Sequence, residues 1–228
     1  MNTKLFDLYA SKWGSLQEEL SKIHNDDSLD VKPTNPYLIS VNPDYENSDL
    51  RVMVFGQETN GWHEEGDSVE ELQAAYDKWV NQGNCFSYGG QFWNGTNLLL
   101  AKLREKFPMK TIGFVANNLV KIGKSDERGF PPDYIYDIER SHFRTVPEEI
   151  SILKPDIVVF YTGPNYDSIL ADLYEKLDFS PVTPFPSRHL SRLNINGVPH
   201  AYRTYHPNFL YRNDINTTLD TMINNISI

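Results

Sequence analysis

Four short runs restrict what this chain can fold into: Val52-Met53-Val54-Phe55, Ile112-Gly113-Phe114-Val115-Ala116, Ile157-Val158-Val159-Phe160-Tyr161 and the segment His200–Tyr205. The first three are almost continuously apolar. That is the pattern of strands buried on both faces, and it belongs to parallel sheets covered by helices rather than to half-exposed antiparallel ones. Stretches with helical character separate them. Val69–Val80 is rich in good helix formers, 91–107 carries Phe92, Leu99 and Leu103 on one side, and Asp167–Leu177 follows the third run. Alternating strands and helices predict an α/β fold, a three-layer α/β/α sandwich around a mostly parallel four-stranded sheet.

The remaining segments fit around that frame. Leu5, Tyr9, Trp13, Leu16, Leu20 and Ile23 recur at spacings of three and four, which predicts an amphipathic helix over 4–23. Pro33, Pro36 and Pro43 predict an extended connection with no regular element. Pro147 is placed to open a short helix, and 217–226 reads as a closing one. The stretch 179–199 is irregular, with Asn194–Gly197 as a tight turn between two short strands. At 228 residues the chain suits one well-buried domain, 1–228, with 1–45 as a helix and lead-in.

Composition removes several function classes. One cysteine, Cys85, leaves no internal disulfide and no four-cysteine cluster. The histidines are too scattered for a metal-ligand spacing, and no glycine-rich nucleotide loop is present, so no metal or cofactor is expected. No leader and no long apolar run is seen, which predicts a cytoplasmic, monomeric protein without membrane contact. A formal charge of -10 opposes indiscriminate nucleic-acid binding. Yet 179–213 contains no carboxylate, while Arg188, Arg192, Arg203 and Arg212 lie within it. Such a stretch forms a local basic face for a phosphate backbone, unless its arginines pair with acidic residues elsewhere.

Each predicted strand runs into polar residues: Gln57-Glu58, Asn117-Asn118, Gly163–Asn165 and His206–Asn208. In open α/β sheets, ligands bind outside the carboxyl ends of the strands, so these four segments are expected along one edge. Glu58 offers a carboxylate that can orient water or balance a cationic, sugar-like transition state. Asn118 presents a donor and an acceptor suited to one edge of a nucleobase. His206 can stabilise negative charge on a leaving group, and Phe86 can stack on a flat ring. Each has a plainer alternative: Glu58 as a helix cap, Asn117 or Asn118 as a turn residue, His206 as a buried structural histidine, Phe86 as core.

Taken together and in order, these segments resemble the uracil-DNA glycosylase superfamily. Gly56-Gln57-Glu58 is similar to the family's Gly-Gln-Asp-Pro-Tyr motif. Cys85-Phe86-Ser87 is similar to the segment holding its base-stacking phenylalanine, and Asn118-Leu119-Val120-Lys121 to an Asn-Val-Val-Lys form. His206-Pro207-Asn208-Phe209-Leu210 resembles His-Pro-Ser-Pro-Leu. The resemblance spans about 50–212 and implies a glycosylase that excises a flipped base from DNA without a cofactor. It implies Glu58 and His206 as catalytic groups, and Gln57, Phe86, Asn118 and Trp62 around the base. Phe209 or Leu210 would be the wedge, with Arg188, Arg192 and Arg212 on phosphates. Three departures bear on the substrate. Glutamate replaces aspartate, and Thr59-Asn60 replaces the Pro-Tyr whose tyrosine excludes thymine's methyl group, with Trp62 as a candidate to fill that space. Asn208-Phe209 replaces Ser-Pro. Two rivals follow: a weak or inactive module of this fold that binds a nucleobase or damaged DNA, and an enzyme acting on a small substrate such as a nucleoside.

Overall fold

In the computed structural model, residues 1–62 and 68–228 are described. The chain forms α1 (Asn2–His24), α2 (Pro43–Asn47), β1 (Leu50–Asn60) and α3 (Val69–Tyr76), which continues as a π turn over Asp77–Asn81. Next come α4 (Asn84–Tyr88), α5 (Gln91–Lys106), β2 (Ile112–Lys124), α6 (Asp133–His142), α7 (Val146–Leu153) and β3 (Ile157–Phe160). A 3-10 turn at Pro164–Tyr166 leads into α8 (Asp167–Leu173), followed by β4 (Phe179–Pro181), β5 (Leu190–Leu193), β6 (His200–Thr204), α9 (Pro207–Leu210) and α10 (Ile215–Asn224).

The sheet has six strands where the sequence predicted four, in the order β2-β1-β3-β6-β5-β4. The four expected strands are the parallel part, and β5 and β4 extend it antiparallel from β6. β4 and β5 lie in the stretch read as irregular. β5 and β6 are the two short strands expected on either side of the Asn194–Gly197 turn, whereas β4, three residues ending in proline, is too short for alternation to announce and pairs with β5. Val52–Phe55 and Ile157–Phe160 are fully buried, so both faces of the parallel part are covered. α1 packs on α6 and α7, while α10 packs on α5.

β1 and β2 are also longer than predicted. Both continue past the sheet as a paired ribbon, with Glu58 opposite Val120 and Asn60 opposite Lys124 across an irregularity. Gln57-Glu58, expected past the end of its strand, therefore lies within β1. The lead-in lies along this ribbon: Thr34 N–H donates to Gly123 O at 3.0 Å, Tyr37 N–H to Lys121 O at 2.9 Å, and Ser125 N–H to Lys32 O at 2.9 Å. The extended, proline-containing segment thus finds its backbone partners in β2.

The ribbon demands a glycine at 123, because a Cβ there would lie 1.7 Å from Thr59 O. Overpacking a tight site costs about 1–3 kcal/mol. The collision here is with backbone, so Gly123→Ala is expected near the top of that range. At roughly 2–4 °C per kcal/mol for a chain of this size, melting should fall by roughly 6–12 °C. An unchanged melting temperature would mean that the two strands do not approach as described.

Candidate active site

The chain leaves β1, crosses to β2 on one side, then returns to β3 on the other side. The carboxyl ends of β1 and β3 therefore border a switch point in the strand order, where α/β sheets open a crevice. Two side chains bridge it. Gln57 Nε2 donates to Thr162 O at 2.9 Å, and the Tyr166 hydroxyl donates a short hydrogen bond to Glu58 Oε2. Burial, reinforced by Glu58, pushes the Tyr166 phenol far above its ordinary range. It stays protonated and holds one carboxylate oxygen.

Above the switch point lies a cleft of about 660 Å³. Gln57, Glu58, Trp62, Asn118 and His206 all line it, so five of the sequence-derived candidates meet in one place. Gly56 gives Asn118 room, since a Cβ at 56 would fall 2.5 Å from Asn118 Oδ1. Asn118 Nδ2 donates to Thr59 Oγ1 at 3.2 Å. Its neighbour Asn117 sends its amide the other way, as strand alternation requires, donating to Glu149 Oε2 at 2.7 Å.

That buried side is a polar network beneath the cleft. Lys121 Nζ lies 2.7 Å from Glu149 Oε1 and donates to Asn117 Oδ1 at 2.7 Å, and both ionic side chains are fully buried. Tyr9 and Thr145 hydroxyls also donate to Glu149 Oε1. Asn117 Oδ1 accepts from Asn118 N–H at 2.8 Å, which ties the cleft asparagine to the network. Burial pulls the Lys121 ammonium below its ordinary range, against the pull of Glu149. Nearby, Glu139 accepts from Lys121 N and Ile122 N at 2.9 and 2.8 Å, and burial lifts its carboxyl to about 7.

His206 caps α9, and its Nδ1 accepts from Asn208 N–H at 3.1 Å. An acceptor Nδ1 leaves the proton of a neutral ring on Nε2, which becomes a donor. Burial lowers the pKa of this imidazole. The unfolded chain binds that proton at higher pH than the native one. The group's contribution to stability is therefore full above about pH 6.5 and is lost as pH falls through the folded value. NMR titration of the ring nitrogens should give a midpoint below about 6.5, with Nδ1 unprotonated at neutral pH. A midpoint at or above the ordinary value would contradict the half-buried, neutral assignment.

Other expectations need correction. Phe86 does not line the cleft. It belongs to α4 and packs on Trp93 and Phe114 at centroid distances of 5.9 and 5.4 Å. The phenylalanine in the cleft is Phe92, stacked on His206 at 6.1 Å and 24°. Leu210 is fully buried and cannot act as a wedge. Phe209 is half-buried, outside the cleft lining, with its ring stacked on Tyr205 at 4.1 Å. Arg203 is buried and grips both Asp167 oxygens at 2.7 and 2.8 Å, a structural pair and not a phosphate contact. Arg192 reaches back to Pro199 O, near the amino end of β6 and away from the cleft edge. Arg188 and Arg212 remain exposed beside the carboxyl end of β6.

The sequence reading also misses the cleft's aromatic walls. Tyr37 contacts Trp62 edge-on at 4.8 Å, and Trp79, Tyr88 and Trp93 line the cleft with them. The doublet Phe92-Trp93, one residue after Gly89-Gly90, was the available signal, whereas Tyr37 and Tyr166 gave none. Among the described residues, no cluster of His, Cys, Asp and Glu could hold a metal ion, and no helix is long and apolar enough to cross a membrane. No protein-family model and no curated protein matches the chain.

Proposed function

We propose that this protein is a base-excising N-glycosylase of the uracil-DNA glycosylase type, acting on a flipped uracil or modified base in DNA without a cofactor. The observation that carries the reading is the meeting of Glu58, Asn118 and a neutral, Nε2-protonated His206 in one cleft at the switch point. The three-layer α/β/α description of the fold, a single cytoplasmic domain and a monomeric state go with it.

Each group has a defined task. Tyr166 holds Glu58 Oε2, which leaves the other oxygen to orient water or to face the positive charge that develops on the sugar. His206 Nε2–H donates to the carbonyl oxygen of the departing base as it gains charge, and a neutral donor performs this without a proton transfer. Asn118 reads the base edge, Phe92 lies against its face in the role first given to Phe86, and Gln57 and Trp62 complete the walls. Arg188 and Arg212 contact the strand's phosphates.

The test is release of base from single- and double-stranded oligonucleotides carrying uracil or other modified bases, followed as abasic product. Product formation that depends on Glu58 is the expected result. A second reading, a binding module without turnover, is favoured by the extra methylene of Glu58 and its hold by Tyr166, because displacement by about 1 Å costs roughly 100-fold in rate. Saturable binding across the panel with no abasic product would select it.

A further inference from the structure

The base-sized end of the cleft leaves an aromatic rim without a task. Tyr88, which closes α4, meets Trp79 of the π turn edge-on at 5.3 Å and 68°. Trp79 meets Trp93 at 6.3 Å and 80°, and Trp93 meets Phe92 at 5.0 Å and 81°. The rings therefore run without a break from the floor under His206 to the mouth of the cleft. Cys85, from the same short helix, is fully buried, whereas Tyr88 is 73% exposed. Gly89 and Gly90, at φ of 80° and 89°, turn the chain into α5 directly behind it.

Size and charge narrow what such a rim takes. A cleft of about 660 Å³ lies within the drug-sized range of about 300–1,000 Å³, and one pyrimidine fills only part of it. Among the described lining residues, Glu58 is the one that carries a formal charge, and the rings of Trp79, Tyr88 and Trp93 are themselves uncharged. A row of uncharged, edge-to-face rings open to water offers faces to a nucleobase, and base–aromatic stacking tolerates any base.

We propose that Trp79, Tyr88 and Trp93 form a second stacking subsite that takes the base adjacent to the target nucleotide on the same single strand. The proposal rests on the reading of Asn118, His206 and Phe92 as the target-base site. It makes the preferred substrate an unpaired strand, whose neighbouring base is free to leave its own stack.

Binding of deoxyuridine-centred trinucleotides by the catalytically quiet Glu58→Gln protein tests it, with tryptophan fluorescence as readout. One probe carries thymine flanks and the other abasic-spacer flanks. Stacking is worth about 1–3 kcal/mol per base, so the thymine-flanked probe should bind about 5- to 150-fold tighter at 1.4 kcal/mol per tenfold. Adding Tyr88→Ala should erase much of that gain and leave spacer-flanked binding unchanged, while Tyr88→Phe should keep it. Equal affinity for both probes overturns the subsite. So does a gain that appears only when the spacer-flanked uracil carries a bulky 5-substituent. Tyr88-dependent binding of the thymine-flanked probe that is indifferent to Asn118→Ala supports the subsite and removes the target-base reading. No binding of either probe overturns both.

Discussion

Replacing Glu58 with glutamine should lower the rate of base release by about 100- to 10,000-fold, the range for losing a positioned acid–base group. Glutamine keeps the shape of the side chain, and its carbonyl oxygen can still accept from Tyr166. What disappears is the negative charge opposite the sugar and the oxygen that orients water. Both act on the transition state, so the loss should fall on kcat with KM little changed. Tyr166→Phe separates charge from placement. The carboxylate remains but loses the hydroxyl that fixes Oε2, and a smaller drop in kcat is expected from this positioning residue. Equal rates for wild type and Glu58→Gln over a broad base panel would remove the carboxylate from the mechanism.

The largest stability effect should come from the pair beneath the cleft. Removing one partner of a fully buried ion pair costs about 3–5 kcal/mol, because the other charge is left without compensation. Glu149→Ala strands Lys121 and also the donors of Tyr9, Thr145 and Asn117. Melting should fall by roughly 6–20 °C. Lys121→Met combined with Glu149→Leu removes both charges and should recover part of the loss, though not all, since three polar donors still lack an acceptor. The single variant should also release base more slowly, because Asn117 anchors the Asn118 backbone. A shift of less than about 2 °C, on the scale that relates stability to melting, would show that the pair is not buried as described.

How legible this fold was depended on what stabilises each element. The parallel strands could be read because each is buried on both faces and ends at Gly, Asn or Pro. β5 was read only as a short strand before the Asn194–Gly197 turn, without bounds, and β4 was not read, since its three residues owe their place to pairing with β5. The extension of β2 was hidden by Asn117, Asn118 and Lys121. Polar residues signal a loop until Glu149, distant in sequence, is seen to neutralise the lysine.

In the candidate site, strand ends gave Glu58, Asn118 and His206, because topology alone brings them to one edge. Side-chain direction was not legible. Phe86 and Phe92 lie on either side of Gly89-Gly90, and only the short helix α4 decides that the first packs away from the cleft. The arginines show the same limit: spacing cannot reveal that Arg203 is committed to Asp167.

The lead-in along β2 has one more effect. β2 is an outer strand of the sheet, and an unpaired outer strand is a template on which a second chain can dock. Thr34 and Tyr37 occupy the carbonyls of Gly123 and Lys121, while Pro33 and Pro36 lack the N–H groups that an added strand would need. The segment that connects α1 to the sheet thus also covers this edge, where β2 lies nearest to the cleft.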